Sequence, residues 1–153
     1  MLVSKDRAPS FTLPDIDTGQ PASDPWRDRR QPTVLAFFKV SCPVCQMAAP
    51  MVRAMAESGA GVVAIGEDPA PALAGYRDRW GQAVPTLSEP PPYRVSGAYG
   101  LVSVPSLYLV GPDGTVLDAV VGWDRDAWNR ASVAAGGRAV SAPGDGLPPY
   151  RPG

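Results

Sequence analysis

The sequence predicts an α/β domain, a mixed sheet flanked by helices, and three observations carry that prediction. Short apolar runs of strand length alternate with helix-length amphipathic segments through the first half of the chain. A Gly-Pro-Asp-Gly turn divides two further strand-like runs in the second half, and one more helical segment follows them. Strand, helix, strand, helix implies parallel pairing through right-handed crossovers, whereas the divided pair implies an antiparallel hairpin. At 153 residues, 44% of them hydrophobic, the chain is long enough to bury one core and too short for two comfortable domains.

Each element has its own warrant. TVLAFF, residues Thr33 to Phe38, is a β-branched and aromatic run bounded by Pro32, which suits a strand buried on both faces. From Pro43 to Ser58 the pattern becomes helical, with Met47, Met51 and Met55 at four-residue spacing and Gly59 ending it; the Met stripe reads as core. GVVAIG, Gly61 to Gly66, is a second buried strand, and APALAGYRDRWG presents Leu73, Tyr76 and Trp80 as the apolar face of a second helix. Pro90-Pro91-Pro92 forces an extended segment, after which a short helix is expected around Arg94 to Tyr99. Ser106 to Val110 and Thr115 to Val121 form the hairpin around Gly111-Pro112-Asp113-Gly114. Asp124 is a suitable N-cap for the closing helix, and Gly136-Gly137 lie beyond its end. The four tryptophans read as packing residues. The expected organisation is one domain over residues 1–137 and a Pro/Gly-rich tail over 138–153, too rich in Pro and Gly for a packed element and therefore mobile.

Composition excludes several functions. Lys plus Arg number 14 against 15 Asp plus Glu, so no basic excess favours nucleic acid or an anionic membrane as a partner. No apolar run approaches the ~20 residues of a membrane span, and MLVSKDRAPSF lacks the apolar core of a secretory leader. A cytoplasmic protein is expected, or a periplasmic or secreted one where a leader has been removed. Histidine is absent, which removes Ser-His and Cys-His nucleophile pairs and the commonest transition-metal ligand.

That leaves Cys42 and Cys45, the only two cysteines. Structural zinc wants four Cys or His ligands and only one pair is present, so no metal site and no cofactor is expected. A staple disulfide closing so short a loop restrains little unfolded-state entropy, whereas a strained short-loop disulfide suits a redox pair. The strand before them and the helix after them put Cys42 at a helix N-terminus with Pro43 in the favoured first position. The unpaired N–H groups and the positive end of the macrodipole there lower a thiol's pKa. Cys42 is accordingly the expected nucleophile, and Cys45, one turn on and deeper, the resolving thiol.

SCPVCQMAAPMV resembles the active-site segment of the thioredoxin superfamily: a C-x-x-C after a buried strand, with Pro50 where that family kinks its helix. Val104-Pro105 looks like the family's cis-proline loop, and APSFTLPDIDTGQ is similar to the N-terminal hairpin of the redoxin branch, which holds the TlpA-like thiol-disulfide oxidoreductases and the AhpC-TSA-like peroxiredoxins. The extra segment from Glu67 to Gly100 agrees with the helical insertion of that bacterial branch. The resemblance, from about Ala8 to Ala135, implies a thioredoxin-like fold and dithiol exchange with protein disulfides. Substrate contacts would fall at Val104, Pro105, Pro43 and Val44, with protein thiols and an upstream redox protein as partners and a monomer as the working unit.

The departures from the family pattern pose a question. Thioredoxin carries a Trp just before the first Cys and a buried Asp six residues before it, where this chain has Ser41 and Ala36; TlpA-like proteins place a Glu where Ala48 stands. Lys39 and Glu67 are the remaining candidates for tuning the dithiol, beside their plainer reading as solvated surface charges. Peroxiredoxins hold a Thr three residues before the peroxidatic Cys, where this chain has Lys39. A hydroperoxide reductase, and a thioredoxin-fold binding or scaffold protein with vestigial cysteines, stay as alternatives.

Overall fold

A computed structural model describes every residue from Met1 to Gly153. An N-terminal hairpin, β1 (Thr12–Pro14) and β2 (Pro21–Ser23), precedes β3 (Thr33–Phe38), α1 (Pro43–Glu57), β4 (Gly61–Gly66), α2 (Ala70–Trp80), β5 (Thr86–Ser88) and α3 (Arg94–Ala98). The second half contributes β6 (Ser106–Val110), β7 (Val116–Val121), β8 (Trp123–Asp124), α4 (Arg125–Ala134) and β9 (Tyr150–Arg151). The central sheet runs β5-β4-β3-β6-β7, parallel across its first three strands and antiparallel across the rest. This is a thioredoxin-like fold with a five-stranded mixed sheet and a small N-terminal hairpin.

Strand alternation divides the core in two. Val34, Ala36 and Phe38 of β3, with Val62, Ala64, Leu107 and Leu109, face the cluster built from α1, α2 and α4. Leu35 and Phe37, with Val63, Ile65, Tyr108 and Val110, face the opposite cluster of Phe11, Trp26 and Tyr99. Every residue of β3 is buried, which is why its sequence reads as a continuous apolar run rather than an alternating one. On the second face Tyr99 stacks edge-on against Phe11 at 6.1 Å and Tyr108 at 5.2 Å, and its hydroxyl donates to the Pro9 carbonyl at 2.9 Å. Trp123 and Trp128 meet edge to face at 4.9 Å on the first face, an arrangement worth about 0.5–1.5 kcal/mol beyond its buried area.

Three expectations need adjustment. Only Met55 of the Met stripe is fully buried, and Met47 and Met51 lie half-buried at the margin of the core. A four-residue step overshoots a helical turn by about 40°, so the stripe winds off the buried face. Among the tryptophans Trp26, Trp123 and Trp128 are buried, while Trp80 lies at the margin under the Arg79 guanidinium. The Pro/Gly-rich stretch expected to be an unpacked tail is instead laid along the domain. Asn129 accepts from the Val140 and Ser141 amides, buried Arg125 donates to Ser141, Asp145 and the Leu147 carbonyl, and Tyr150–Arg151 pairs with β8. Val140 and Leu147 also pack against the core, and with these polar anchors they hold the segment despite its Pro and Gly content.

Candidate active site

The site forms where β3 ends. Its chain passes through exposed Lys39 and Ser41 into α1, with Cys42 in the N-cap position (φ −86°, ψ 113°) and Pro43 in the first turn. The loop is pinned from two sides: the Val40 amide donates to Asp68 at 3.0 Å, and the Gln46 side-chain amide donates to the Val40 carbonyl at 2.8 Å. Pro50 lies inside the helix on its exposed side. In the antiparallel pairing of β3 with β6, Phe37 sits opposite Ser106, so the residues entering β6 lie beside the helix that leaves β3. Those residues are Val104 and Pro105, joined by a cis peptide bond.

The cysteines are both free thiols. The Cys42 Sγ accepts from the Cys45 amide at 3.1 Å and, protonated, donates to the Val104 carbonyl at 3.4 Å, tying the helix N-terminus to the cis-proline loop 62 residues away. Cys42 is half-buried and Cys45 only 2% exposed. A hydrogen bond from the Cys45 thiol, then the Cys45 and Val44 amides and the Arg151 charge, lowers the Cys42 pKa to about 6 against the opposing effect of burial. Burial first, then the negative sulfur of Cys42, drives the Cys45 pKa far above the ordinary thiol range.

The other sequence-derived candidates are distributed around this pair. Pro43 is exposed beside Cys42, Pro105 is buried, and Val104 is partly so. Val44 is 6% exposed with its side chain in the core, leaving its amide as the part that reaches the site. Lys39 and Glu67 both line a cleft with Leu101, Val102, Ser103 and Val104, on the edge of the cis-proline loop. Glu67 also accepts from the Ser96 hydroxyl at 3.1 Å, a group that bonds buried Glu89 as well.

Two side chains near the dithiol escape sequence reading. Tyr76 of α2 is buried with its hydroxyl unpartnered, and burial followed by the charges of Cys45 and Cys42 raises its pKa well beyond the usual phenol range. Arg151 reaches to within 3.7 Å of the Met47 sulfur on α1. An amphipathic helix offers no signal that singles out Tyr76, and nothing local in a Pro/Gly-rich stretch announces Arg151.

A reduced dithiol at a strand-to-helix junction, facing a cis-proline loop on a five-stranded mixed sheet, defines a redoxin-type member of the thioredoxin superfamily. Residues 4–119 match the AhpC/TSA family, and the chain belongs to it. The Mycobacterium tuberculosis protein named "Putative peroxiredoxin Rv2521" is 32% identical over 135 residues, spanning 77% of this chain and 84% of that one. Among solved structures, the thioredoxin domain of a thiol-disulfide oxidoreductase from Bacteroides vulgatus superposes with a TM-score of 0.75 at 16% identity, covering 88% of this chain and 99% of that one. The dsbF protein of M. tuberculosis, solved in mixed oxidised and reduced forms, gives a TM-score of 0.69 at 27% identity over 82% and 94% of the two chains. Relatives within the family are oxidoreductases, and no helix of this chain is long and apolar enough to cross a membrane.

Proposed function

We propose that this protein is a thiol-disulfide oxidoreductase that exchanges its Cys42–Cys45 dithiol with disulfides in protein or peptide chains. The observation that carries the reading is the division of labour between the cysteines: one lowered to about 6 and accessible, the other buried one turn below. The Cys42 thiolate attacks one sulfur of the substrate disulfide; a Cys42–substrate bond forms, the substrate disulfide breaks, and the first substrate thiolate leaves. Cys45 then loses its proton and attacks the Cys42 sulfur, closing the intramolecular disulfide and releasing the second substrate thiolate. The substrate is reduced by two electrons and the dithiol oxidised by two; an upstream protein dithiol restores it. Run in reverse, the same steps oxidise a substrate. Val104 and Pro105, with Pro43 at the helix start, take the substrate backbone, and the Val44 amide contributes through its hydrogen bond to the Cys42 sulfur. Lys39 and Glu67, on the cleft beside Val104, are the candidates for tuning the dithiol.

The name of the mycobacterial relative and the thiolate at Cys42 favour a second reading, hydroperoxide reduction. There the Cys42 thiolate would take the terminal peroxide oxygen and become a sulfenate as the alcohol leaves; Cys45 would then form the disulfide as water departs. Steady turnover of a peptide disulfide with a dithiol reductant, set against hydroperoxide consumption under the same conditions, separates the two. Disulfide exchange is expected to be the faster by far. Hydroperoxide consumption without disulfide turnover would replace the first reading with the second.

A further inference from the structure

Residues 148–153 run back onto the cis-proline loop beside Cys42. The Trp123 indole donates to the Pro148 carbonyl at 2.7 Å and the Arg125 amide to the Pro149 carbonyl at 3.0 Å, and Trp123↔Arg151 and Asp124↔Tyr150 then pair as antiparallel strands. This direction carries residues 151–153 over Gly122 and onto Val104-Pro105. Gly122 adopts φ +75°, and a Cβ added there would lie 2.9 Å from the Arg151 carbonyl oxygen, 3.1 Å from the Gly153 nitrogen and 3.2 Å from the Pro152 Cα. A Cβ added to Gly153 would fall on the Val104 carbonyl and lie 3.3 Å from the Pro105 nitrogen. Two glycines therefore allow backbone to lie on backbone here. The Val104 carbonyl that Gly153 abuts is the one that accepts from the Cys42 thiol, and Pro105 beneath it is buried.

We propose that Pro148–Gly153 is an intramolecular strap lying in the substrate groove of the dithiol, and that an extended disulfide-bearing chain must displace it to reach Cys42. This rests on the exchange reading above and adds regulation to it. The strap shows which occupant the groove accepts: extended backbone lying on Gly122, with a small residue against Val104, since that is the form it takes itself. It is also built to leave. Pro149 through Gly153 are exposed, the pairing with β8 covers two residues, and Pro149 and Pro152 have no N–H to add to it. Cys42 stays half-exposed beside the closed strap, so a small reagent reaches the sulfur where a peptide backbone does not. Arg151 travels with the strap, so the positive charge it lends Cys42 is present when the groove is closed and withdrawn when it opens.

Two variants free the groove while sparing its anchors. Gly153→Val puts a side chain where only the Val104 carbonyl fits, and a chain ending at Pro149 keeps the carbonyls that hold Trp123 and Arg125. The probe is an unstructured peptide whose single cysteine is disulfide-bonded to glutathione, together with its serine analogue, which binds but cannot exchange. Both variants are expected to bind the serine analogue at least about fivefold more tightly than the parent, the inverse of the fraction of time the groove is open. The kcat/KM for the disulfide peptide should rise in step. Iodoacetamide alkylation of Cys42 at about pH 9, where the thiol is ionised in every chain, should not change. Equal, weaker or undetectable binding of the analogue to folded variants, judged by an unchanged Tm, overturns the strap. Tighter analogue binding with no exchange in any chain upholds the strap and overturns the redox reading instead.

Discussion

Cys42 and Cys45 carry the same functional group one helical turn apart, and their surroundings push it in opposite directions. The first caps α1, half-exposed, with amide protons and a thiol proton directed at its sulfur; the second lies 2% exposed among apolar side chains. Burial separates the two: both belong to the first turn, but the Cys42 sulfur, at the cap, collects the hydrogen bonds, whereas the Cys45 sulfur is desolvated. The contrast also orders the chemistry. A negative Cys42 is one of the causes that raise Cys45, so converting Cys42 to a neutral mixed disulfide removes that cause and eases ionisation of Cys45. The missing acids at positions 36 and 48 matter less in this light, since loss of a neighbouring charge performs part of their task.

The largest test of this asymmetry is deletion of either sulfur. Cys42→Ser should abolish disulfide exchange, by at least about 10³-fold in kcat/KM, as expected when a nucleophile is removed. Cys45→Ser should leave the first attack intact and accumulate a mixed disulfide at Cys42, detectable by mass spectrometry after addition of substrate. Absence of a mixed disulfide in the Cys45→Ser chain, or an equally rapid one at Cys45 in the Cys42→Ser chain, would erase the distinction.

Next in size is the pH dependence. Alkylation of Cys42 should rise through a midpoint near pH 6, well below the ~8.5 of a free thiol. Because the folded pKa is depressed, the reduced protein gains stability from Cys42 as pH rises from about 6 toward 8.5 and loses it as pH falls through about 6. Cys45 works the other way: its raised pKa withdraws stability once an unfolded thiol would ionise, above about pH 8.5. Denaturant midpoints of the reduced chain should therefore climb from pH 6 to pH 8 and decline beyond pH 9, and the Cys42→Ser chain should lack the climb.

The same contrast explains what could be read without coordinates. β3, β4 and β6 are buried on both faces and announce themselves as apolar runs; the turn residues and Asp124 mark the hairpin and the last helix. The cysteine pair at the start of α1 was legible because a C-x-x-C after a strand is a local feature. Three things were not. β5 is three residues long and carries no period. Tyr76 reads as one more apolar position on a helix, because what distinguishes it, an unpartnered buried hydroxyl close to the sulfurs, is a tertiary fact. Residues 138–153 carry no periodic apolar pattern that signals packing, since two isolated side chains, Val140 and Leu147, and partners distant in sequence, Asn129, Trp123 and buried Arg125, anchor them.

Smaller effects rank the influences on Cys42. Cys45→Ala removes the leading cause of its low pKa and should raise the alkylation midpoint clearly, whereas Arg151→Gln removes the least and should raise it by a smaller amount. A larger shift from Arg151→Gln would mean that charge, rather than hydrogen bonding, governs the thiolate.

The smallest expected effect belongs to Tyr76→Phe. The hydroxyl it deletes is buried and makes no hydrogen bond, and an orphaned polar group costs a fold about 1–3 kcal/mol, so removal should leave Tm unchanged or raise it. Retention of the ring keeps its 4.8 Å contact with Phe38, so no cavity opens to offset the gain. Exchange should proceed at the parent rate, because a phenol so reluctant to ionise is a poor proton acceptor for Cys45. A selective slowing of the resolving step, with the Cys42 midpoint unmoved, would instead assign the hydroxyl as the hydrogen-bond donor that steadies the Cys45 thiolate once Cys42 is in mixed disulfide.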